Sequence, residues 1–161
     1  MISVGDTLPE ATLIQMTADG PAPVAIKDKT AGRKVVVFAV PGAFTPTCHS
    51  AHVPSFMRTK DQFAEKGVDE IICISVNDPF VMHAWGEATG ATAAGLTMLA
   101  DADSSFTTAI GMNFDAPPAG LMARSGRYAM LVEDGKVTLF QAEENPGLCE
   151  TSAGEGLLAS M

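Results

Sequence analysis

Between Lys34 and Val40 the chain reads KVVVFAV, β-branched and apolar without alternation, which is the pattern of a strand covered on both faces. Glu70–Val76 (EIICISV) repeats it. The segment between them predicts a helix from about His49 or Val53 to Lys66, closed by Gly67 as its C-cap. Asn77 and Asp78 then offer N-cap oxygens and Pro79 suits a first helical turn, so PFVMHAWGEATG predicts a second helix stopped near Gly90. Leu96–Ala100 predicts a short strand, followed by the Asp-rich cap DADS and a helix through Ile110 that Gly111 closes. The stretch Asn113–Gly126, with two prolines and two glycines, reads as a long loop. Tyr128–Glu133 and Lys136–Gln141 flank Asp134-Gly135, a strong two-residue hairpin signal, and Ser152–Ala159 predicts a terminal helix.

Strands alternating with helices imply parallel neighbours, and the Asp-Gly hairpin imposes an antiparallel pair. The predicted class is therefore α/β, with a mixed central sheet flanked by helices. The 161 residues show no repeat or linker and fit one domain, 1–161. Nineteen acidic residues against ten basic ones give a formal charge of −9. Without basic clusters the chain has no electrostatic footprint for nucleic acid. No apolar run approaches the roughly 20 residues that span a bilayer, so no membrane partner is expected. The N-terminus lacks the pattern of a secretory signal, and the expected location is the cytoplasm. Three cysteines, an odd number, do not make a disulfide framework; each is buried filler, catalytic or metal-bound.

Cys48 carries the sharpest chemistry. In VVVFAVPGAFTPTCHSAHVP it follows a buried strand and precedes a helix, in the loop where α/β proteins collect reactive groups. A helix start presents unpaired N–H groups and partial positive charge, which favour a thiolate, the nucleophilic form of the side chain. The competing readings are a small apolar filler, or a zinc site built from Cys48, His49 and His52 with a further ligand such as His83. The absence of CxxC speaks against both structural zinc and a disulfide oxidoreductase.

The element order resembles the thioredoxin-like fold. Pro41, Thr45 and Cys48, in the pattern PxxxTxxC with His52 and Pro54 after it, resemble the active-site signature of the peroxiredoxins, thiol peroxidases on that fold. The segments PGAFTPTC, ISVNDPFVMHAW and RYAMLVEDG are similar to the peroxiredoxin-5 subfamily, also called type II or atypical, and the likeness runs from Val4 to the terminal helix. It implies that Cys48 is the peroxidatic cysteine, that Thr45 hydrogen-bonds the peroxide, that Pro41 shields the sulfur and that Arg127 is the active-site arginine. The implied activity is reduction of hydrogen peroxide and alkyl hydroperoxides in antioxidant defence, without a cofactor and in a homodimer. A peroxide-sensing module that signals through a partner protein is the alternative. The assignments meet a chemical need: O–O cleavage sends charge from sulfur to the departing oxygen, and a guanidinium can stabilise both. His52 is expected to bond backbone or pack near the loop rather than act as a base, and His49 is given no role.

A sulfenic acid formed at Cys48 has to be condensed with a second thiol before it over-oxidises. Cys73 lies in the apolar strand, where plant-like members carry a second cysteine, and filler is its plainer reading. Cys149, in the loop NPGLCETS, lies one position earlier than the resolving cysteine of animal-type members. Otherwise the reductant is external: glutathione with glutaredoxin, or thioredoxin.

Overall fold

The computed structural model describes residues 1–161. In chain order its elements are strands β1 (Thr12–Thr17) and β2 (Gly20–Ala25), helix α1 (Ile26–Thr30), β3 (Lys34–Val40), α2 (Val53–Glu65) and β4 (Glu70–Ser75). There follow α3 (Pro79–Thr89), β5 (Thr97–Ala100), α4 (Ser105–Ala109), β6 (Asn113–Ala116), β7 (Leu121–Ser125), β8 (Tyr128–Glu133), β9 (Lys136–Ala142) and α5 (Gly154–Ala159).

Seven strands form one sheet in the order β2-β1-β5-β4-β3-β8-β9. β3 and β4 pair in parallel, as do β4 and β5, while β8 joins β3 antiparallel, so the sheet is mixed as the pattern predicts. β3 sits deep inside and is buried on both faces. Val36, Phe38 and Val40 face a core shared with Phe56 and Phe63 of α2, Trp85 of α3 and Leu157 of α5. Val35, Val37 and Ala39 face the opposite core, with Ile26 of α1 and Phe106 of α4. This two-sided burial explains why the strand sequence shows no alternation. Cys48 and Cys73 both belong to the α2/α3/α5 side.

The helix predicted after the Pro/Thr loop is present, but its first turns are not α-helical: Cys48–His52 forms a π-helical turn that leads into α2. α3 starts as expected, with the Asp78 carboxylate accepting from Val81 N at 2.8 Å, and ends at Gly90, whose φ of 78° suits a left-handed cap. α5 begins at Gly154, two residues later than predicted. Gly154 lies against Ser55 and Thr59 of α2 with no room for a Cβ.

Asn113–Gly126 is not a long loop. β6 and β7 pair antiparallel around a 3₁₀ turn at Pro117–Ala119, with Gly120 at φ 71°. The ribbon is largely exposed, so its residues carry no buried-face alternation to reveal it. β1, β2 and α1 also lack a clear signature. β2 contains Pro21 and Pro23, which an edge strand tolerates because one row of its N–H groups faces away from the sheet. No helix is long and apolar enough to cross a membrane.

Candidate active site

The site begins where β3 ends. Ser75, the last residue of β4, donates to Asn77 Oδ1 at 2.6 Å, and the same oxygen accepts from Ala43 N at 3.0 Å. The parallel strand pair thereby grips the loop that follows β3. Phe44 takes φ 64°, a left-handed conformation that is unusual for a residue with a side chain, and reverses the chain into the helical run. Gly42 lets the chain pass close to its neighbours: a Cβ there would lie 2.7 Å from Arg124 Nη1 and 3.2 Å from Thr45 Cγ2, so the guanidinium would have to shift. The Arg124 guanidinium, brought in by β7, donates to Pro41 O at 3.2 Å.

Thr45 Oγ1 donates to Gly42 O at 2.7 Å instead of capping the helix. With its proton committed there, the hydroxyl keeps lone pairs free to accept a hydrogen bond from a ligand. Thr47 Oγ1 donates to Gly147 O at 3.1 Å and ties this loop to the one after β9.

Cys48 is fully buried, and so is Arg127, at 1 % exposure. Arg127 Nη2 donates to Cys48 Sγ at 3.1 Å, Nη1 to His52 Nδ1 at 3.0 Å and Nε to Pro146 O at 3.0 Å. A guanidinium has only donors, so His52 Nδ1 must be the acceptor and its proton sits on Nε2, which donates to Ser152 O at 2.9 Å. Burial first, and the Arg127 charge second, push His52 down to about 3, so the ring is neutral. It packs between Phe38 and Phe56, with ring centroids 4.9 and 5.6 Å away. The bond to Ser152 O is the backbone contact expected of His52. His49 Nδ1 accepts from the Trp85 indole N–H at 3.1 Å, which satisfies a buried polar group. The zinc arrangement weighed for Cys48, His49, His52 and His83 does not form, since no group of three His, Cys, Asp or Glu side chains converges.

Pro41, Thr45, Arg127, Pro146 and Leu121 of β7 line a shallow cavity of about 180 Å³. Three of the four residues singled out from the PxxxTxxC segment and the start of the RYAMLVEDG segment thus share one mouth. The fourth, Cys48, does not line it and is joined to it through Arg127, whose Nη2 donates to the sulfur. A cavity of about 220 Å³ between the Thr7–Glu10 segment and α1 contains none of them. Cys73 stands opposite Phe38 in the β3/β4 register, with no exposure. Burial first, and then neighbouring Cys48, push its thiol well up. Cys149 is half-buried in the loop after β9, and burial pushes its thiol up as well. All three thiols are free.

Several contributors escaped sequence reasoning. Asn77, Arg124, and the carbonyls of Pro146, Gly147 and Ser152 act through loop shape, and backbone carbonyls carry no residue-type signal. Only Asn77 stood out, and as a helix cap.

A model of the Redoxin family matches residues 3–158. The chain is 47 % identical to Peroxiredoxin-2E-2, chloroplastic, of Oryza sativa subsp. japonica over 98 % of its own length and 72 % of that protein. It is 42 % identical to Peroxiredoxin-2B of Arabidopsis thaliana over 98 % of each. The crystal structure of reduced Prx3 in complex with H2O2 from Vibrio vulnificus superposes with a TM-score of 0.92, at 49 % identity over 99 % of each chain. These likenesses favour turnover over the peroxide-sensing alternative, and with a thiol held by a buried arginine the chain belongs to the type II peroxiredoxins, thiol-dependent peroxidases of antioxidant defence.

Proposed function

We propose that Cys48 is the peroxidatic nucleophile, with Arg127, Thr45 and Pro41 completing the reacting site of a domain spanning residues 1–161. The observation that carries this reading is the Arg127 Nη2 to Cys48 Sγ contact at 3.1 Å inside the core. Buried charges are normally paired, and among the three groups Arg127 contacts only the sulfur can become an anion.

Peroxide enters the shallow mouth, and the Vibrio vulnificus Prx3 structure with H2O2 supports that substrate. The Cys48 thiolate attacks one peroxide oxygen; the S–O bond forms, the O–O bond breaks, and the bonding pair leaves on the distal oxygen. Arg127 donors stabilise the sulfur and the departing charge together. The leaving oxygen takes a proton and departs as water or an alcohol, while Cys48 remains as sulfenic acid. The Thr45 lone pairs accept from the peroxide O–H, and buried Pro41 walls the sulfur from water.

A thiol then condenses with the sulfenic acid and releases water, and a second thiol reduces the resulting disulfide. Cys149 is the internal resolver this reading favours, because it is partly accessible on a loop, whereas Cys73 is locked in the sheet as filler. Glutathione with glutaredoxin, or thioredoxin, supplies the final electrons. Three unpaired thiols suit a reducing compartment, here the cytoplasm. A homodimer fits exposed Phe44 on the active-site loop and Phe80 at the start of α3. The deciding experiment is peroxide consumption by Cys48→Ser with any thiol reductant: loss of activity is expected, and retention would end the reading.

A further inference from the structure

The loop Glu143–Ser152 does more than connect β9 to α5. Two of the three acceptors that hold Arg127 trace back to it. Pro146 O receives Nε directly, and Ser152 O receives His52 Nε2–H, which turns the opposite ring nitrogen toward Arg127 Nη1. The loop itself is gathered on one carboxylate oxygen: Glu143 Oε1 accepts from Glu150 N at 2.7 Å, Ser152 N at 2.9 Å and Ser152 Oγ at 2.8 Å. Glu143 N donates to Arg127 O at 2.9 Å just beyond the β8/β9 pair, so the residue that ties the loop also bonds the arginine's own backbone.

We propose that Glu143 is a positioning residue of the peroxide reaction: its carboxylate shapes the loop so that the Pro146 carbonyl, and the Ser152 carbonyl through His52, hold Arg127 on the Cys48 sulfur. The inference rests on the reading of Cys48 as nucleophile and Arg127 as its charge partner. Three donors converging on one anionic oxygen are charge-assisted bonds, stronger than neutral ones. Although burial pushes Glu143 upward, the bonds from Ser152 and Glu150 outweigh it and hold the carboxyl below the usual range. Without the carboxylate, two loop N–H groups and a hydroxyl lose their acceptor. Ser152 then no longer has a set place beneath His52, and the guanidinium keeps its charge but loses its aim.

The test measures the second-order rate constant of Cys48 oxidation by hydrogen peroxide, by rapid quench and intact mass, in the parent, Glu143→Ala and Glu143→Gln. Nitrogen-15 histidine spectra report the His52 tautomer in each, a signature that a mere loss of stability does not move. Glu143→Ala should slow oxidation by about tenfold or more, since small misplacements of a catalytic group are costly. It should also lose the ordered Nε2–H signal of His52, and Glu143→Gln, which retains an oxygen acceptor, should fall between. A folded Glu143→Ala that reacts at the parent rate overturns the inference. So does a slowed one whose His52 signal is unchanged. If Glu143→Ala does not fold, Glu143→Asp, with the charge kept and the reach shortened, takes the same two measurements and the same two overturning results. Cys48→Ser runs beside them: peroxide consumption there would remove the functional reading as well, whereas a parent-like Glu143→Ala over an inactive Cys48→Ser removes this inference alone.

Discussion

Arg127 reaches Cys48 Sγ through Nη2 at 3.1 Å, and no Asp or Glu forms an ion pair with its guanidinium. At 1 % exposure, that arginine has little water to solvate it. Neutral His52 and the Pro146 carbonyl satisfy donors without neutralising charge. The sulfur is the one contact able to respond with a negative charge, and in the proposed reaction the same donors meet the charge that appears as the O–O bond breaks.

Removing this donor set is expected to be costly. Arg127→Ala should lower kcat/KM for peroxide by about a hundredfold to a thousandfold, the usual loss for a missing oxyanion donor. Arg127→Lys should recover little, because an ammonium cannot reproduce three directed contacts of a planar fork. Stopped-flow peroxide consumption checks both, and an Arg127→Ala variant within a few-fold of the parent would contradict the mechanism.

Thr45 is expected to act through its hydroxyl lone pairs. Thr45→Val, nearly equal in shape, removes the acceptor and also takes from Gly42 O the nearer of its two donors, leaving the Thr45 N–H at 3.4 Å. The rate should fall by about tenfold to a hundredfold, the range of one or two lost hydrogen bonds. Thr45→Ser should keep most of the activity. Equal rates for Val and Ser would show that the hydroxyl does not touch substrate.

The two remaining thiols separate by mass. After one equivalent of peroxide, the parent should lose two hydrogens as a disulfide forms, and Cys149→Ser should instead stop at sulfenic acid. Cys73→Ser should behave like the parent in this assay while being less stable by about 1–3 kcal/mol, since a hydroxyl replaces a buried thiol in an apolar strand. Urea denaturation measures the second effect. A disulfide lost only in Cys73→Ser would reverse the assignment.

Acid should weaken the fold through His52. Its folded value of about 3 lies below the ordinary 6.5, so between those limits the unfolded chain binds a proton that the folded chain does not. Stability therefore falls as pH drops from about 6.5 toward 3, with a slope of about 1 kcal/mol per pH unit from this one group. Glu70, held low by bonds from Thr97, Arg33 and Lys29 against the upward push of burial, loses its contribution only near and below the ordinary carboxylate range. Urea midpoints at pH 7 and pH 5 bracket the range in which His52 acts, and comparison with a His52 variant assigns the slope to it. His52→Asn should flatten that slope, and an unchanged slope would show that His52 is not its source.

Much of this architecture is written in local pattern. The unbroken apolar run at Val35–Val40 announces a doubly covered strand, and Asp78 and Gly90 bracket α3 through capping chemistry that needs no distant partner. Asp134-Gly135 sets its hairpin for the same reason, as both residues accept positive φ. The position of Cys48, the nucleophile proposed above, was legible too, because a cysteine between strand and helix is a statement about sequence order. β6 and β7 were not legible: their strands hold each other on the surface, and without a buried face there is no periodicity to read. Nor could the chain order tell whether Arg127 was a surface residue or a buried one, since burial depends on which loops close over it. That closure is made by Pro146, Ser152 and Glu143, residues whose role lies in carbonyl direction and in one carboxylate gathering distant N–H groups. Residue identity and local spacing therefore determined the central strands β3, β4, β5, β8 and β9, the caps and the place of the thiol. The partner of that thiol was decided in three dimensions, where a buried charge takes whatever acceptors the folded backbone brings to it.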